Sequence, residues 1–379
     1  MKMISYGRQS ITEEDIEAVS KVLKSDFLTQ GPKVKEFEDA ICAQTGARYC
    51  VAAANGTAAL HIAVAALNIE EGSEGMTTPI TFAASANCML YNRIIPRFAD
   101  IDEQSYNIDP RSVSSRLTKL TRLVIPVHFA GQPADMLAIS ELARQKGLYV
   151  IEDAAHAIGS QYADGSHVGN CKYSDMTTFS FHPVKTITTG EGGAITTNSQ
   201  ELYEKLLLLR SHGITKDDHL LSSNPGPWYY EMHELGFNYR MTDMQAALGI
   251  SQLSRLSIFK KRRREIVALY NAAFEAIPWL TTPWEEEEIS SCFHLYVLKI
   301  DFKEINRSRK EVMEYLFLKN VGTQVHYIPV PSFPYYQNIQ VQPCPQADQY
   351  YEQCLSIPLF PAMTDAEMLH VVEAISSLA

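Results

Sequence analysis

The chain has 379 residues, of which 46% are hydrophobic and 20% are charged, and these proportions are typical of a globular protein with a substantial core. Its formal net charge of −11 argues against a nucleic-acid partner, because binding phosphate backbones requires a basic surface. No apolar run approaches the roughly 20 residues that span a bilayer, so we expect no membrane partner.

The cysteines and the N-terminal segment indicate the compartment. The chain contains 7 cysteines, which are scattered singly and form none of the closely spaced pairs of a zinc site or redox motif. The opening segment "MKMISYGRQS" lacks the apolar core of a signal peptide. We therefore expect reduced thiols, no metal site and a cytoplasmic location.

Helical and strand patterns alternate along the first part of the chain. "SITEEDIEAVSKVLKS" predicts a helix with a capping box at Thr12 and Asp15. Its predicted apolar face comprises Ile16, Val19, Val22 and Leu23. Four short apolar runs, "YCVAAA", "RIIPRFADI", "TRLVIPVHFA" and "LYVIEDAAHA", then alternate with helical patterns such as "AALHIAVAALN" and "MLAISELARQKG". Such alternation predicts an α/β fold with a mostly parallel central sheet covered by helices on both faces.

The segment "TTFSFHPVKTITTGEGGAITTN" follows these elements. It predicts two short strands, Phe179–Phe181 and Ala194–Thr197, joined by a stretch that carries Lys185 and a Gly-Glu-Gly-Gly turn. A lysine in such a connection is as often a solvated charge as a functional group.

A different pattern begins near residue 241. A long helical stretch is followed by "CFHLYVLKI", the helix "SRKEVMEYLFLKNVG", the strand "TQVHYIPV", a proline-rich loop over 327–345 and a final helix from Thr364. We predict a large domain over 1–250 and a smaller C-terminal α/β domain over 251–379.

Polar residues gather where the predicted strands end. The turn at 55–58, Asn-Gly-Thr-Ala, exposes N–H groups at a helix start and can bind an anion, although most such turns bind nothing. Asp153 ends a strand at the edge where ligands bind in open α/β folds. The adjacent Glu152 points to the opposite face, where we expect it to be solvated or to cap a helix. His156 is either part of the same site or a satisfied core histidine.

These groups together suit one cofactor. Neither a P-loop nor a dinucleotide-binding glycine fingerprint occurs in the chain. Pyridoxal 5'-phosphate (PLP) requires a phosphate site with hydroxyls, a carboxylate beside the ring nitrogen and a lysine amine for its aldehyde. The anion turn, Ser180, Asp153 and Lys185 supply these groups, and Phe82 supplies an aromatic ring that can stack on the cofactor.

The same segments carry a family resemblance over essentially the whole chain. They are "GTAALH", "PITFAAS", "PVHFAGQPADM", "VIEDAAHAIGS", "YSDMTTFSFHPVKTITTGEGGAITTN", "LLRSHGI" and "LGFNYRMTDMQAALG". In content and order they resemble the DegT/DnrJ/StrS group of PLP-dependent sugar aminotransferases. The resemblance implies a PLP-dependent fold of the aspartate-aminotransferase type (fold type I). Within the group, "SFHPVK", "GPWYYEM" and "QVHYIPV" are most similar to members that act in pseudaminic acid biosynthesis.

The resemblance also implies the substrates. Such an enzyme moves the amino group of L-glutamate to the 4-keto carbon of a UDP-linked 4-keto-6-deoxy-N-acetylhexosamine. The alternative is another nucleotide-linked 4-keto or 3-keto sugar. Related sugar dehydratases carry histidine in place of the Schiff-base lysine, so Lys185 argues against dehydration. A non-catalytic regulator of this fold would carry a DNA-binding segment, and no basic helix-turn-helix is apparent.

Site residues follow from the resemblance by their place in its motifs. Lys185 would be the Schiff-base lysine, Asp153 the partner of the pyridinium and His156 the neighbour of the cofactor's phenolic oxygen. The remaining implied cofactor contacts are Gly56, Thr57, Ala58, Phe82, Ser180 and, in a homodimer with shared sites, the partner subunit's Asn238. The implied substrate contacts are Tyr6, Asp26, Phe27, Leu28, Thr29, Arg240, Gln324, Val325, His326 and Tyr327. A structural ion pair is the alternative for Arg240, and aromatic core packing is the alternative for Phe27 and Tyr327.

Overall fold

The computed structural model describes residues 2–339 and 342–378. Its α-helices are α1 (Glu13–Leu23), α2 (Pro32–Thr45), α3 (Gly56–Ala66), α4 (Ala84–Tyr91), α5 (Pro110–Arg116), α6 (Met136–Lys146), α7 (Gln200–Arg210), α8 (Asp243–Ser254), α9 (Leu256–Phe274), α10 (Arg309–Leu318), α11 (Pro345–Gln353) and α12 (Asp365–Ser376). Its strands are β1 (Tyr49–Ala53), β2 (Glu74–Thr77), β3 (Ile95–Phe98), β4 (Thr121–Ile125), β5 (Tyr149–Asp153), β6 (Met176–Ser180), β7 (Gly193–Thr197), β8 (Ile214–Thr215), β9 (Glu231–Met232), β10 (Leu280–Thr281), β11 (Tyr296–Ile300) and β12 (Cys354–Ile357).

The central element is a 7-stranded sheet in the order β1-β7-β6-β5-β4-β2-β3. Only β7 runs against the others: it pairs antiparallel with both β1 and β6, whereas the remaining pairs are parallel. Most of its strand residues are buried, as expected for a sheet covered on both faces. The predicted α/β fold with a mostly parallel sheet is confirmed.

Strand direction fixes where the site forms. The strands β1, β5 and β6 point the same way, so their carboxyl ends lie at one edge of the sheet. The ends of β5 and β6 are Asp153 and Ser180, and β1 leads through Asn55 into α3. The register pairs Ser180 with Gly193 on β7, which confirms the two predicted strands that flank Lys185.

The C-terminal part forms a second layer of structure around the antiparallel sheet β10-β11-β12. The prediction of a strand at "TQVHYIPV" is wrong: this segment makes only an isolated bridge from Gln324 to Ser356, and the third strand is β12. The helices predicted after Ser308 and from Thr364 are confirmed as α10 and α12. In the predicted loop 327–345, residues 340 and 341 lie outside the described residues. The proposed domain boundary at 250 falls inside α8 and stays a prediction.

The first helix has its predicted capping box but not its predicted apolar face. Thr12 and Asp15 cap α1 as expected. Of the predicted apolar face, Val22 is buried, whereas Ile16 and Leu23 are exposed. The side that packs on α8 instead buries Asp15, which accepts hydrogen bonds from the side chains of Gln252 and Arg255. A buried ionic contact has therefore taken the place that the sequence pattern assigns to apolar residues.

A buried arginine forms hydrogen bonds that connect three segments of the C-terminal part. Arg263 of α9 is 1% exposed, and its Nη1 donates to the carbonyl oxygens of Phe293, His294 and Leu359. Burial lowers the pKa of its guanidinium to about 10. One side chain thus joins a helix to the segment before β11 and to the segment after β12.

Within residues 2–339 and 342–378, no helix is both long and apolar enough to cross a membrane. Across the same residues, no cluster of histidine, cysteine and carboxylate side chains has the arrangement of a metal site.

Candidate active site

A cavity of about 880 Å³ opens at the carboxyl edge of the main sheet. Its walls contain most of the cofactor residues implied by the sequence: Gly56, Thr57, Ala58, Phe82, Asp153, His156, Ser180 and Lys185. The C-terminal part supplies another wall with His294, His326 and Tyr327, and Tyr6 comes from the N-terminal segment. The cavity therefore lies between the sheet edge and the C-terminal layer, and groups from distant parts of the sequence share it.

The turn before α3 has the form of an anion site. Asn55 caps the helix by accepting the N–H of Ala58 at 2.8 Å, so that N–H is already engaged. The N–H groups of Gly56 and Thr57 open the helix, where backbone donors have no intrahelical acceptor. A Cβ on Gly56 would lie 2.8 Å from the Cβ of Ser180, so only glycine brings this turn so close to the Ser180 hydroxyl. The N-terminus of α3 thus lies beside the Ser180 hydroxyl.

Lys185 lies in the connection between β6 and β7 and faces the cavity. Burial lowers the pKa of its ammonium from 10.5 to about 8, although the negative charge of Asp153 acts in the opposite direction. About a tenth of this amine is therefore unprotonated at pH 7, far more than for a solvated lysine, and that fraction can act as a nucleophile or base. The reading of Lys185 as a freely solvated charge does not fit this position.

Asp153 is buried at 5% exposure and its carboxylate is held from two sides. Its Oδ2 accepts the hydroxyl of Ser85 at 2.6 Å, and its Oδ1 accepts the N–H of Ala155 at 3.1 Å. Thr81 contacts Ser85 through their hydroxyl oxygens at 2.7 Å. Sequence reasoning missed Ser85 and Thr81, although both stand in the quoted segment "PITFAAS". They keep the carboxylate fixed as it faces the cavity.

The expectation that Glu152 is solvated or caps a helix is wrong. Glu152 is 0% exposed on the opposite side of the sheet. It accepts hydrogen bonds from four side chains: His128 at 2.7 Å, Ser174 at 2.5 Å, Thr177 at 3.1 Å and Tyr162. Despite the cost of burial, these donors lower the pKa of Glu152. These hydrogen bonds hold the end of β5, which carries Asp153, from the opposite face of the sheet.

Three histidines surround the inner wall. The ring of His156 lies 4.4 Å from that of His294, and its Nε2 lies 3.1 Å from the hydroxyl oxygen of Tyr327. Burial lowers the pKa of His156, His294 and His326, and the positive charge of Lys185 adds to this effect. All three rings are therefore neutral at physiological pH. His294 was not singled out from the sequence, because one histidine in an apolar strand pattern carries no distinctive signal.

Several residues implied by the resemblance lie outside this cavity. Residues 26–29 are exposed and lie against the segment that carries Asn238 and Arg240, since Thr29 bridges to Thr242 and the N–H of Asp243 donates to the carbonyl of Leu28. At 53% exposure, Phe27 is not packed in the core. The structural alternative for Arg240 also lacks support, because this side chain forms no ion pair within the described residues.

Gln324 and Val325 precede the cavity wall without forming part of it, whereas the following His326 and Tyr327 line it. Tyr327 is half-buried and faces the cavity instead of being enclosed in the core.

Comparison with known proteins identifies the family. The profile of the DegT/DnrJ/EryC1/StrS aminotransferase family matches residues 9–376. The chain belongs to this family. It is 41% identical over 379 residues to the spore coat polysaccharide biosynthesis protein SpsC of Bacillus subtilis, covering 99% of this chain and 97% of SpsC. It is 39% identical over 383 residues to a UDP-4-amino-4,6-dideoxy-N-acetyl-beta-L-altrosamine transaminase of Campylobacter jejuni, covering 99% and 97% of the two chains.

Solved structures agree with this membership. Helicobacter pylori PseC, an aminotransferase involved in the biosynthesis of pseudoaminic acid, superposes with a TM-score of 0.93 at 30% identity, covering 100% of this chain and 99% of PseC. Spr1654 from Streptococcus pneumoniae, named as a sugar aminotransferase, superposes in its PLP form with a TM-score of 0.91 at 27% identity, covering 99% and 98%. A form with the aminated cofactor, PMP, superposes at 0.92. The predictions of a sugar aminotransferase and of PLP as its cofactor are confirmed.

The residues that line the cavity also fit PLP, independently of the comparisons. A phosphate requires free N–H donors and a hydroxyl, which the Gly56 turn and Ser180 offer at a point that a Cβ would fill. A ring nitrogen requires a fixed carboxylate, which is Asp153. An aldehyde requires an amine of lowered pKa, which is Lys185. These three requirements are met around one cavity.

Proposed function

We propose that this enzyme transfers the amino group of L-glutamate to the 4-keto carbon of a UDP-linked 4-keto-6-deoxy-N-acetylhexosamine. The product would be UDP-4-amino-4,6-dideoxy-N-acetyl-beta-L-altrosamine, an intermediate for pseudaminic acid. The observation that carries the transaminase chemistry is Lys185, an amine with a pKa near 8 that shares a cavity with a fixed carboxylate. The full-length similarity to the Campylobacter jejuni transaminase and to PseC supports the choice of sugar.

Different residues of the cavity would bind the cofactor and move the proton in this reaction. The N–H groups of Gly56 and Thr57 and the hydroxyl of Ser180 would bind the phosphate. The Asp153 carboxylate would hold a proton on the ring nitrogen, and Phe82 would cover one face of the ring. PLP, when bound, supplies an electron sink and a carrier for the amino group. Lys185 Nζ would first hold the cofactor and then, once displaced by the amino donor, move a proton at the substrate carbon.

We further propose that the active unit is a homodimer in which each site receives Asn238 and Arg240 from the partner copy. Within one chain these residues lie outside the cavity, beside the exposed segment 26–29. That segment carries Phe27 and Leu28 at 53% and 46% exposure, and a second copy would cover this apolar surface. The polar residues next to it would then reach a phosphate or carboxylate in the neighbouring cavity.

A two-part assay tests the reaction. The purified enzyme with PLP and L-glutamate should yield 2-oxoglutarate and shift the cofactor spectrum to that of PMP. The PMP enzyme should then aminate a UDP-linked 4-keto-6-deoxy-N-acetylhexosamine, and NMR of the product should show the altrosamine configuration. The lysine variant Lys185→Ala is the control for both parts. Faster turnover of other nucleotide-linked 4-keto or 3-keto sugars would favour the alternative substrate, which the similarity to SpsC keeps open.

Subunit mixing tests the shared site. One population carries Lys185→Ala and the other carries Asn238→Ala together with Arg240→Ala. In a mixed dimer one of the two sites would be free of both changes, so activity should recover toward half of the sites in that species. Mixtures that remain inactive after verified subunit exchange would refute the shared site without affecting the assignment of the reaction.

A further inference from the structure

The hydrogen bonds of His156 determine where its hydrogen atom lies. The backbone N–H of Ala130 points at Nδ1 of His156 at 3.3 Å, and a backbone N–H can only donate. Since Nδ1 must accept, the neutral imidazole carries its hydrogen on Nε2. The residue is 5% exposed, and burial, to which the positive charge of Lys185 adds, lowers the pKa of its ring well below the usual value. The neutral Nε2–H form is therefore the form present at physiological pH.

The turn that supplies this N–H is held on several sides. The N–H of Phe129 donates to Oδ1 of Asn107 at 2.8 Å, and the hydroxyl of Ser160 donates to the carbonyl of Gly131 at 2.7 Å. Ala130 itself adopts a left-handed conformation with φ of 55°. Its N–H direction thus follows from packing and from uncharged hydrogen bonds, which do not change with pH.

The second contact of His156 fixes the hydrogen-bond role of the Tyr327 hydroxyl. The Nε2 atom lies 3.1 Å from the hydroxyl oxygen of Tyr327, and the two rings are nearly parallel, at 19°. Because Nε2 carries the hydrogen, it donates and the tyrosine oxygen accepts. The hydroxyl hydrogen of Tyr327 has no acceptor within the described residues, and Tyr327 lines the cavity. Burial raises the pKa of this hydroxyl, so the hydrogen is retained at physiological pH.

We propose that Tyr327, and not His156, donates the hydrogen bond to the ring oxygen of the bound cofactor, with His156 as the positioning residue that orients the Tyr327 hydroxyl. This inference rests on the proposed placement of PLP against Lys185, Asp153 and His156. A ring oxygen beside Nε2 of His156 meets a nitrogen whose hydrogen is already engaged, whereas the hydroxyl 3.1 Å away has a hydrogen to give. The other titratable groups facing this point are His294 and His326, both neutral, and Tyr6.

The test is the pH dependence of the visible absorption band of the PLP-loaded enzyme at rest, without substrates. A hydrogen bond to the ring oxygen stabilises its negative charge most when the neighbouring lysine-derived nitrogen has lost its proton. Tyr327→Phe should therefore raise the pH midpoint of the band by on the order of one pH unit. The matched control Tyr91→Phe removes a hydroxyl from the wall of the same cavity and should leave the midpoint unchanged.

A double variant separates orientation from direct contact. Asn at position 156 cannot reach the hydroxyl as Nε2 does, so His156→Asn should raise the midpoint. Adding Tyr327→Phe to it should give the midpoint of Tyr327→Phe alone, because both changes remove one interaction. An unchanged midpoint in loaded Tyr327→Phe, or additive effects of the two changes, would overturn the proposal.

A measurement on the unaltered protein guards against variants that fail to fold. In ¹⁵N-histidine-labelled enzyme without cofactor, the His156 signals should be those of a neutral ring with its hydrogen on Nε2. A hydrogen on Nδ1 would overturn the proposal. Failure of the unaltered enzyme to show a PLP band would instead refute the proposed cofactor site, so the two failures are distinguishable.

Discussion

Replacing Lys185 by methionine should stabilise the cofactor-free protein at neutral pH. The pKa of this side chain falls from 10.5 to about 8 in the folded chain because the cavity wall desolvates the ammonium. At 1.36 kcal/mol per pH unit, holding the charged form costs about 3 kcal/mol below pH 8. Since the group is partly exposed and solvent screens it, we expect Lys185→Met to gain about 2 kcal/mol. Methionine retains most of the apolar contacts of the lysine chain.

The lowered pKa of Lys185 also fixes the direction in which the stability of the wild-type protein changes with pH. The folded pKa of Lys185 is below the unfolded one, so the unfolded chain binds more protons between about pH 8 and 10.5, and wild-type stability rises with pH across that window. The difference between Lys185→Met and wild type should be full at pH 7 and should shrink toward zero near pH 10.5. Urea unfolding of both proteins at pH 7, 9 and 10.5 measures it.

The exposed residue Lys119 provides the control, because Lys119→Met removes the same charge without releasing a desolvated group. It should change the free energy of unfolding little at any of the three pH values. If Lys185→Met is no more stable than wild type at pH 7, or if its advantage does not decline with pH, the argument that burial lowers the pKa of the amine is refuted.

Four other substitutions test the site and the residues that support it. Asp153→Asn should load PLP but turn over on the order of 10²-fold more slowly, because an amide no longer stabilises the protonated ring; near-normal steady-state rates would mean that another acid holds the ring. Glu152→Gln should lower the free energy of unfolding by about 3 kcal/mol, and Tyr162→Phe should lower it by about 1 kcal/mol. In urea unfolding, the difference in stability between Glu152→Gln and wild type should shrink below pH 4.5, because the wild-type carboxylate becomes protonated there. Gly56→Ala should weaken PLP binding about tenfold through its clash with Ser180, and an unchanged dissociation constant in fluorescence titration would show that the turn can move aside.

The elements that bear the cofactor site were predictable because their signals are local. Apolar runs followed by turn residues located the ends of β1, β5 and β6, and parallel strand ends must meet at one edge. The sequence therefore predicts that Asp153, Ser180 and Lys185 share that edge, and the structure places all three around one cavity there.

The support for those groups was not predictable, because it comes from distant segments. Alternation along β5 places Glu152 opposite Asp153 but cannot reveal four donors supplied from three other parts of the chain. Similarly, periodicity gave α1 an apolar face, whereas a buried Asp15 and its contact with Arg255 decide which side packs on α8. Ser85 and His294 act only through tertiary contacts, which no single-sequence pattern encodes.

The anchoring of the C-terminal part by Arg263 links movement of that part to the chemistry of the amine. The guanidinium holds the carbonyl of His294, and the ring of His294 lies beside His156 on the wall that faces Lys185. Any approach or withdrawal of this wall changes how well water reaches Lys185. Desolvation is the main cause of the lowered pKa of Lys185, so this pKa should fall when the C-terminal layer packs more closely against the sheet and rise when it packs less closely.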